Sequence, residues 1–352
     1  MRKKLALIIP FFGKLPKYMQ LFWNSCIYNE EVDFLLFTDD TSVQNHIIPS
    51  NVYVYITSFE EIKSLFRRKL NDKYLYLDIP YKLCDYKPTY GCVFQDYIQE
   101  YEYWGHCDID LIFGDIMKFL SQVNYTAYDR IFPYGHLSIY RNTHEINSIF
   151  IKKLPRDYAP TTKFEYVKQT TYPCNFDEFG ANLIFKHFNY KFYDNFHHLQ
   201  IQDQQEVFRS KYRSRTPEII TFEEGHIYSY ESIGDKIVRN EYIYVHLQDR
   251  KIMPILIDDT TTTKTFLITH KGFIKFNEQD ITTYFQTYGR NDSKYETKRY
   301  IKNRKQSERR GRITKFVREI KVYKVKGVYN VLCRVYSVLI SRVRTSIRKY
   351  VH

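Results

Sequence analysis

Residues 104–116 read WGHCDIDLIFGDI: Asp108 and Asp110 stand one residue apart where an apolar run ends, and Asp115 follows behind a glycine. Residues two apart on an extended chain point to the same side, so the two carboxylates can converge on one ion. Carboxylate oxygens with few companions suit Mg²⁺ or Mn²⁺, leaving the other coordination positions to phosphate oxygens. A cation held there neutralises a diphosphate and stabilises it as a leaving group. The competing explanation is an ordinary acidic turn. In a chain with 21 aspartates, one D-x-D is what chance supplies, so context has to decide. Aspartyl-phosphate phosphatases also carry D-x-D on a strand, but theirs follows the first strand with Thr or Val two residues on. Here that position is Ile112 and the pair comes late.

His246 closes the apolar run YIYVH and is the candidate third ligand, since imidazole suits Mn²⁺; a packed histidine is the other reading. Arg250 and Lys251 follow in QDRK, where they can meet the same diphosphate. Asp177 and Glu178 open the segment NFDEFGANLIFKHF (175–188), which reads as a helix. Dipole and capping account for acids at that point, and so does a carboxylate base that takes a proton from a hydroxyl.

The elements that must position these residues alternate. LALIIP (5–10), DFLLFTDD (33–40) and VYVYI (52–56) read as strands, the first buried on both faces. Segment 16–28 has apolar residues at helical spacing, with Pro16 suited to a first turn. Ser58 and Glu61 have capping-box spacing ahead of an amphipathic helix over 58–70. Segment 87–101 reads as a helix feeding a strand over 101–110, and 135–142 and 241–248 as further strands. Strand–helix alternation predicts an α/β domain with a mostly parallel sheet. The aspartate pair then lies at the carboxyl end of a strand, where open α/β sheets bind ligands.

The net charge of +13 is unevenly placed. Residues 294–352 hold 19 Lys and Arg against 3 Asp and Glu, a net +16, and residues 1–293 hold 34 against 37, a net −3. A mildly acidic body with a basic arm argues against a nucleic-acid-binding body. In the arm, apolar residues from Ile313, Phe316, Val317 and Ile320 through Val328, Val331, Val335, Leu339 and Val343 recur at mostly helical intervals, the pattern of a basic amphipathic helix suited to an anionic membrane surface. Nucleic acid and plain solvation are the alternatives for that charge. The six cysteines show no C-x-x-C and no zinc spacing, which fits a reducing compartment. MRKKLALIIPFFGKLP mimics a signal peptide, but Pro10 interrupts the apolar run and no small-residue cleavage site follows. A cytoplasmic protein is expected.

Taken in order, IIPFFGKLP (8–16), FLLFTDD (34–40), YKLCDYKPTYG (81–91), WGHCDIDLIFGDI (104–116), GHLSIYRN (135–142) and YVHLQDRK (244–251) resemble a family of bacterial surface-polysaccharide glycosyltransferases. The resemblance spans roughly residues 5–255 and implies an A-type nucleotide-sugar transferase fold, Rossmann-like, with a mostly parallel sheet and flanking helices. It implies a nucleotide-diphosphate sugar donor and a glycan acceptor that is lipid-linked, and so a peripheral place at the inner face of the plasma membrane. By the same resemblance Pro10, Phe11, Phe12 and Gly13 cradle the nucleotide, and Asp39 accepts from base or ribose. Lys82, Asp85 and Lys87 grip the donor sugar and phosphate. Asp108, Asp110 and His246 hold Mn²⁺ or Mg²⁺, and Asp177 or Glu178 serves as base if the reaction inverts. A glycosyltransferase domain over 1–255, a β-like extension over 256–293 and a basic helical tail over 294–352 are the expected divisions. A non-catalytic protein docking through its tail is the alternative.

Overall fold

Five consecutive buried residues, Leu5–Ile9, form the middle of β1 (Lys3–Phe11), as a strand covered on both faces requires. After the helix Met19–Ile27 come β2 (Val32–Thr38) and β3 (Val52–Ile56), then the helix Phe59–Lys69. That second helix starts at the expected capping box: Glu61 N–H donates to Ser58 Oγ, and Ser58 N–H donates to Glu61 Oε2 at 2.7 Å. The first starts at Met19 rather than Pro16. Pro16 stands one turn earlier, its carbonyl accepting the Met19 N–H at 3.1 Å.

The computed structural model describes residues 3–195, 199–200, 218–247, 254–269 and 272–288. All of these belong to one unit, Met1–Asn291; a second unit, Asp292–His352, lies outside the described residues, and with it the expected tail. The first unit continues with β4 (Tyr101–Cys107), β5 (Leu111–Phe113), β6 (Arg130–Ile131), β7 (Leu137–Arg141) and β8 (Phe192–Tyr193). Seven strands form the main sheet in the order β3-β2-β1-β4-β7-β6-β8. The first four run parallel, and β7 is antiparallel to β4. The protein is therefore mixed α/β with a largely parallel main sheet.

Ile8 of β1 is paired with His106 of β4, so Pro10 and Phe11 end beside Asp108. From β1 the order runs to β2 on one side and to β4 on the other. Connections that leave in opposite directions open a crevice at the carboxyl ends of such strands. Both faces of the sheet are packed, one around Phe22 and Trp23 and the other around Phe66, Tyr90 and Trp104.

The rest of the unit is β: β9 (Leu199–Gln200), β10 (Glu218–Glu223), β11 (His226–Ile233), β12 (Lys236–Tyr242), β13 (Tyr244–His246), β14 (Ile255–Leu256), β15 (Thr265–Thr269) and β16 (Gly272–Lys275). A six-stranded sheet runs β12-β11-β10-β15-β16-β14, and a three-stranded one β5-β13-β9. The six-stranded sheet straddles residue 255, because β10 pairs with β15, Ile220 opposite Ile268.

Three expected elements come out differently. Segment 87–101 is not one helix: a 3₁₀ stretch, Pro80–Thr89, gives way to single turns at Tyr90–Val93 and Gln95–Ile98. Pro88 inside it lacks an N–H to continue the ladder. Segment 241–248 is split at Ile243, whose carbonyl accepts the Gly114 N–H at 2.7 Å. Segment 175–188 opens with a wide π-type turn, Phe176–Gly180, before the helix Ala181–His187.

Candidate functional site

Beyond the end of β4 the chain turns through Asp108–Asp110 and re-enters a sheet as β5. Asp108 N–H donates to the His136 carbonyl at 2.9 Å, and Leu247 N–H donates to the Asp110 carbonyl at 2.9 Å. Antiparallel pairing of β5 with β13 sets His246 opposite Leu111, which brings the imidazole alongside Asp110 with Nε2 3.5 Å from Oδ2. One ligand atom from each of Asp108, Asp110 and His246 lies within 4.8 Å of the others. The three expected ligands therefore meet. Two carboxylates and an imidazole are a donor set for a divalent ion such as Mn²⁺ or Mg²⁺. His246 is only 8% exposed and its Nδ1 has no hydrogen-bond partner among the described residues. The nitrogen beside Asp110 is Nε2, and a cation held by all three side chains would be bonded there.

These residues line a cleft of about 930 Å³, walled by the end of β1, the 133–136 loop and the 177–179 turn. Its described ionisable lining sets four carboxylates (Asp108, Asp110, Asp177 and Glu178) against one ammonium, Lys87. The described lining is therefore net acidic, which favours a cation there and opposes an unaccompanied anion.

Lys87 is the junction of the cleft. Its Nζ donates to Asp108 Oδ1 at 2.5 Å and to the Gly135 carbonyl at 2.7 Å, and stands 4.0 Å from Asp177 Oδ2. Burial works against its charge, but Asp108 and Asp177 outweigh burial and hold the ammonium above the ordinary lysine range. Asp177 is 5% exposed, and burial pushes its carboxyl up to about 7. Lys87 pulls against that rise, while Glu178, Asp85 and Asp108 add to it.

Lys82 and Asp85 are elsewhere. They form a wholly buried ion pair at 2.7 Å, and neither lines the cleft. Asp85 accepts the N–H groups of Cys174 and Phe176, at 2.8 and 3.0 Å, and Lys82 donates to the Tyr172 carbonyl at 2.8 Å. The resemblance gave them contact with a donor sugar; in this structure the pair clamps the segment leading into Asp177. Asp39 also turns to the backbone, Oδ1 accepting the Gly13 N–H at 2.8 Å, and Gly13 adopts φ +106°, where glycine is favoured. Pro10, Phe11 and Phe12 line the cleft; Gly13 and Asp39 fix the loop behind them. Arg250 and Lys251 lie outside the described residues.

The sequence reading missed Arg130, Gly135 and His136. Arg130 is wholly buried, its Nη2 donating to the Asp177 carbonyl at 3.1 Å and to Ser138 Oγ at 3.0 Å. Gly135 N–H donates to Glu178 Oε1 at 2.9 Å. His136 lies with its ring centroid 4.2 Å from that of His246, its Nδ1 3.1 Å from Tyr244 Oη. A Gly-His pair heading a strand was the available signal, but nothing local says which histidines meet.

Residues 7–277 match DUF6625, described as a family of unknown function. The chain belongs to that family. The matched span contains all three candidate ligands, the acidic turn and every strand from β2 to β16. No curated protein matches the sequence. Among solved structures, mouse xyloside xylosyltransferase 1 in its apo form aligns at a TM-score of 0.38 and 8% identity. That alignment covers 72% of this chain and 100% of the other. It is a likeness too low to fix either a fold or an activity.

Proposed function

We propose that this protein is a metal-dependent glycosyltransferase of the A-type fold, moving a sugar from a nucleotide-diphosphate donor to a bacterial surface glycan. The observation that carries the reading is the meeting of Asp108, Asp110 and His246 within 4.8 Å at the carboxyl ends of β1 and β4, where the strand order reverses. A bound Mn²⁺ or Mg²⁺ supplies positive charge to the diphosphate and stabilises it as a leaving group.

The chain's own residues do the rest. Pro10, Phe11 and Phe12 wall the nucleotide side of the cleft. Lys87 holds Asp108 and offsets part of the acidic charge. Asp177, with a proton affinity near neutrality, is matched to accepting a proton from an acceptor hydroxyl, and Glu178 stands next to it. Arg250 and Lys251 follow His246 closely in sequence, and in this reading their charges meet the donor phosphates. The +16 of residues 294–352 suits the anionic inner face of the plasma membrane, where a lipid-linked acceptor would be found. No helix among the described residues is long and apolar enough to cross a membrane.

The test is nucleotide binding to purified protein. UDP or GDP should bind with Mn²⁺ and not with chelator. Asp110→Asn should lose that binding and donor turnover without a change in melting temperature, because it removes charge as well as a ligand. Metal-independent nucleotide binding, or a fully active Asp110→Asn enzyme, defeats the reading.

A further inference from the structure

Phe176 and Phe179 point opposite ways. Three residues apart, they would share one face of an α-helix, yet Phe176 is wholly buried and Phe179 is 59% exposed. The wide turn over Phe176–Gly180 separates them, and turns of that kind recur at functional sites. The turn has little freedom to fold the exposed ring away. Asp85 holds the Cys174 and Phe176 amides, Arg130 holds the Asp177 carbonyl, and Phe179 N–H donates to the Asn175 carbonyl at 2.9 Å. Gly180 has no room for a Cβ against the Phe176 ring.

A second exposed ring stands on the same cleft. Tyr81, 71% exposed, projects from Pro80–Thr89, the segment that carries Asp85. A wholly buried carboxylate therefore bolts together the two segments that present Tyr81 and Phe179. Both rings line the cleft and offer it apolar surface for a ligand to cover.

We propose that Tyr81 and Phe179 form a sugar-stacking lip that receives a neutral pyranose glycan, its C–H face on the rings and its hydroxyls donating to Glu178. Calling that glycan the acceptor rests on the transferase reading above. Three features select it. Aromatic faces match the apolar face of a pyranose, carboxylates accept from hydroxyls, and the acidic cleft disfavours an anionic ligand without its own cation. A nucleobase also stacks on rings, but its phosphates belong at the Asp108–Asp110 side. Phe179 instead shares a turn with Asp177, the group placed to take a proton from the acceptor.

Saturation-transfer NMR on the full-length chain tests this with maltose, cellobiose, lactose and chitobiose, and with UMP plus diamagnetic Mg²⁺ as the nucleobase arm. At least one disaccharide should show saturation at its ring C–H protons. Phe179→Ala should weaken that binding about threefold to tenfold, Phe179→Tyr should retain it, and Tyr81→Ala with Phe179→Ala should abolish it. Both side chains are exposed, so an unchanged melting temperature certifies the variants. No disaccharide signal at millimolar concentration, equal signals in the double variant, or loss of the UMP signal in place of the disaccharide signal would each overturn the proposal. A parallel Mn²⁺ and UDP titration separates the two readings. Disaccharide binding without metal-dependent nucleotide binding keeps the lip and sinks the transferase; the converse sinks only the lip.

Discussion

Lys87 and Asp108 are joined at 2.5 Å, so a carboxylate of the candidate metal triad already carries a protein cation on one oxygen. Replacing Lys87 with Met removes both a competitor for that oxygen and a like charge beside the ion. Mn²⁺ should bind about tenfold more tightly, while stability falls by about 2 kcal/mol as Asp177 loses its counter-charge. Calorimetric titration and thermal melting read the two effects separately. An unchanged Mn²⁺ affinity would mean that Lys87 does not act on the metal site.

His246 separates ligation from packing. His246→Ala should weaken Mn²⁺ binding by at least about tenfold while shifting the melting temperature by no more than a few degrees. The reverse pattern, a large melting shift with metal binding intact, would make it a packed core histidine.

Asp177 sets a pH dependence of stability. Its folded carboxyl titrates at about 7, against about 4 when unfolded. Below pH 4 both states are protonated and the residue contributes no difference. Between about 4 and 7 the unfolded chain ionises first, so stability declines as pH rises, levelling off above 7 after a loss on the order of a few kcal/mol. The neighbouring charges, Lys87, Glu178, Asp85 and Asp108, stay in place in Asp177→Asn, which should flatten the slope. Parallel melting curves for the two proteins in chelator, from pH 4.5 to 7.5, would refute the assignment.

Much of this geometry was legible in sequence, for a physical reason. Asp108 and Asp110 follow an apolar strand, and His246 ends another, so local pattern placed all three at strand ends. Lys82 and Asp85 were not legible. In the irregular Pro80–Thr89 segment no periodicity announces which face goes inward, and their burial is set by amides at Cys174 and Phe176. The wide turn at Phe176–Gly180 escaped for the same reason: acids followed by an apolar run read as a capped helix until Arg130 and Asp85 fix the backbone.

Gly135 keeps room for the acidic turn. A Cβ there would collide with Asp177 Oδ2 and crowd Glu178 Oε1, and the clamps on either side stop that turn from retreating. Gly135→Ala should cut donor turnover by at least about tenfold and leave Mn²⁺ affinity within about twofold. Steady-state kinetics beside a metal titration measure both, and kinetic parity with the wild type would show that the carboxylates need no fixed position.

Ending the chain at residue 293 removes a net +16 and keeps the whole Met1–Asn291 unit. The shortened protein should melt as before and stop sedimenting with anionic vesicles. The full chain should bind them less at raised salt, since its basic residues contribute about 1 kcal/mol each near such a surface. Vesicle binding by the shortened protein would assign the tail another role.

The third ligand has a consequence for the newborn chain. His246 reaches Asp110 through the pairing of β13 with β5, although every strand of the main sheet precedes it in sequence. A ribosome-bound chain that has emerged only through the aspartates has the two carboxylates without His246. If the three residues hold a metal as proposed, its capture waits until synthesis has passed β13 and the strand has docked, and a bound ion would report a finished fold.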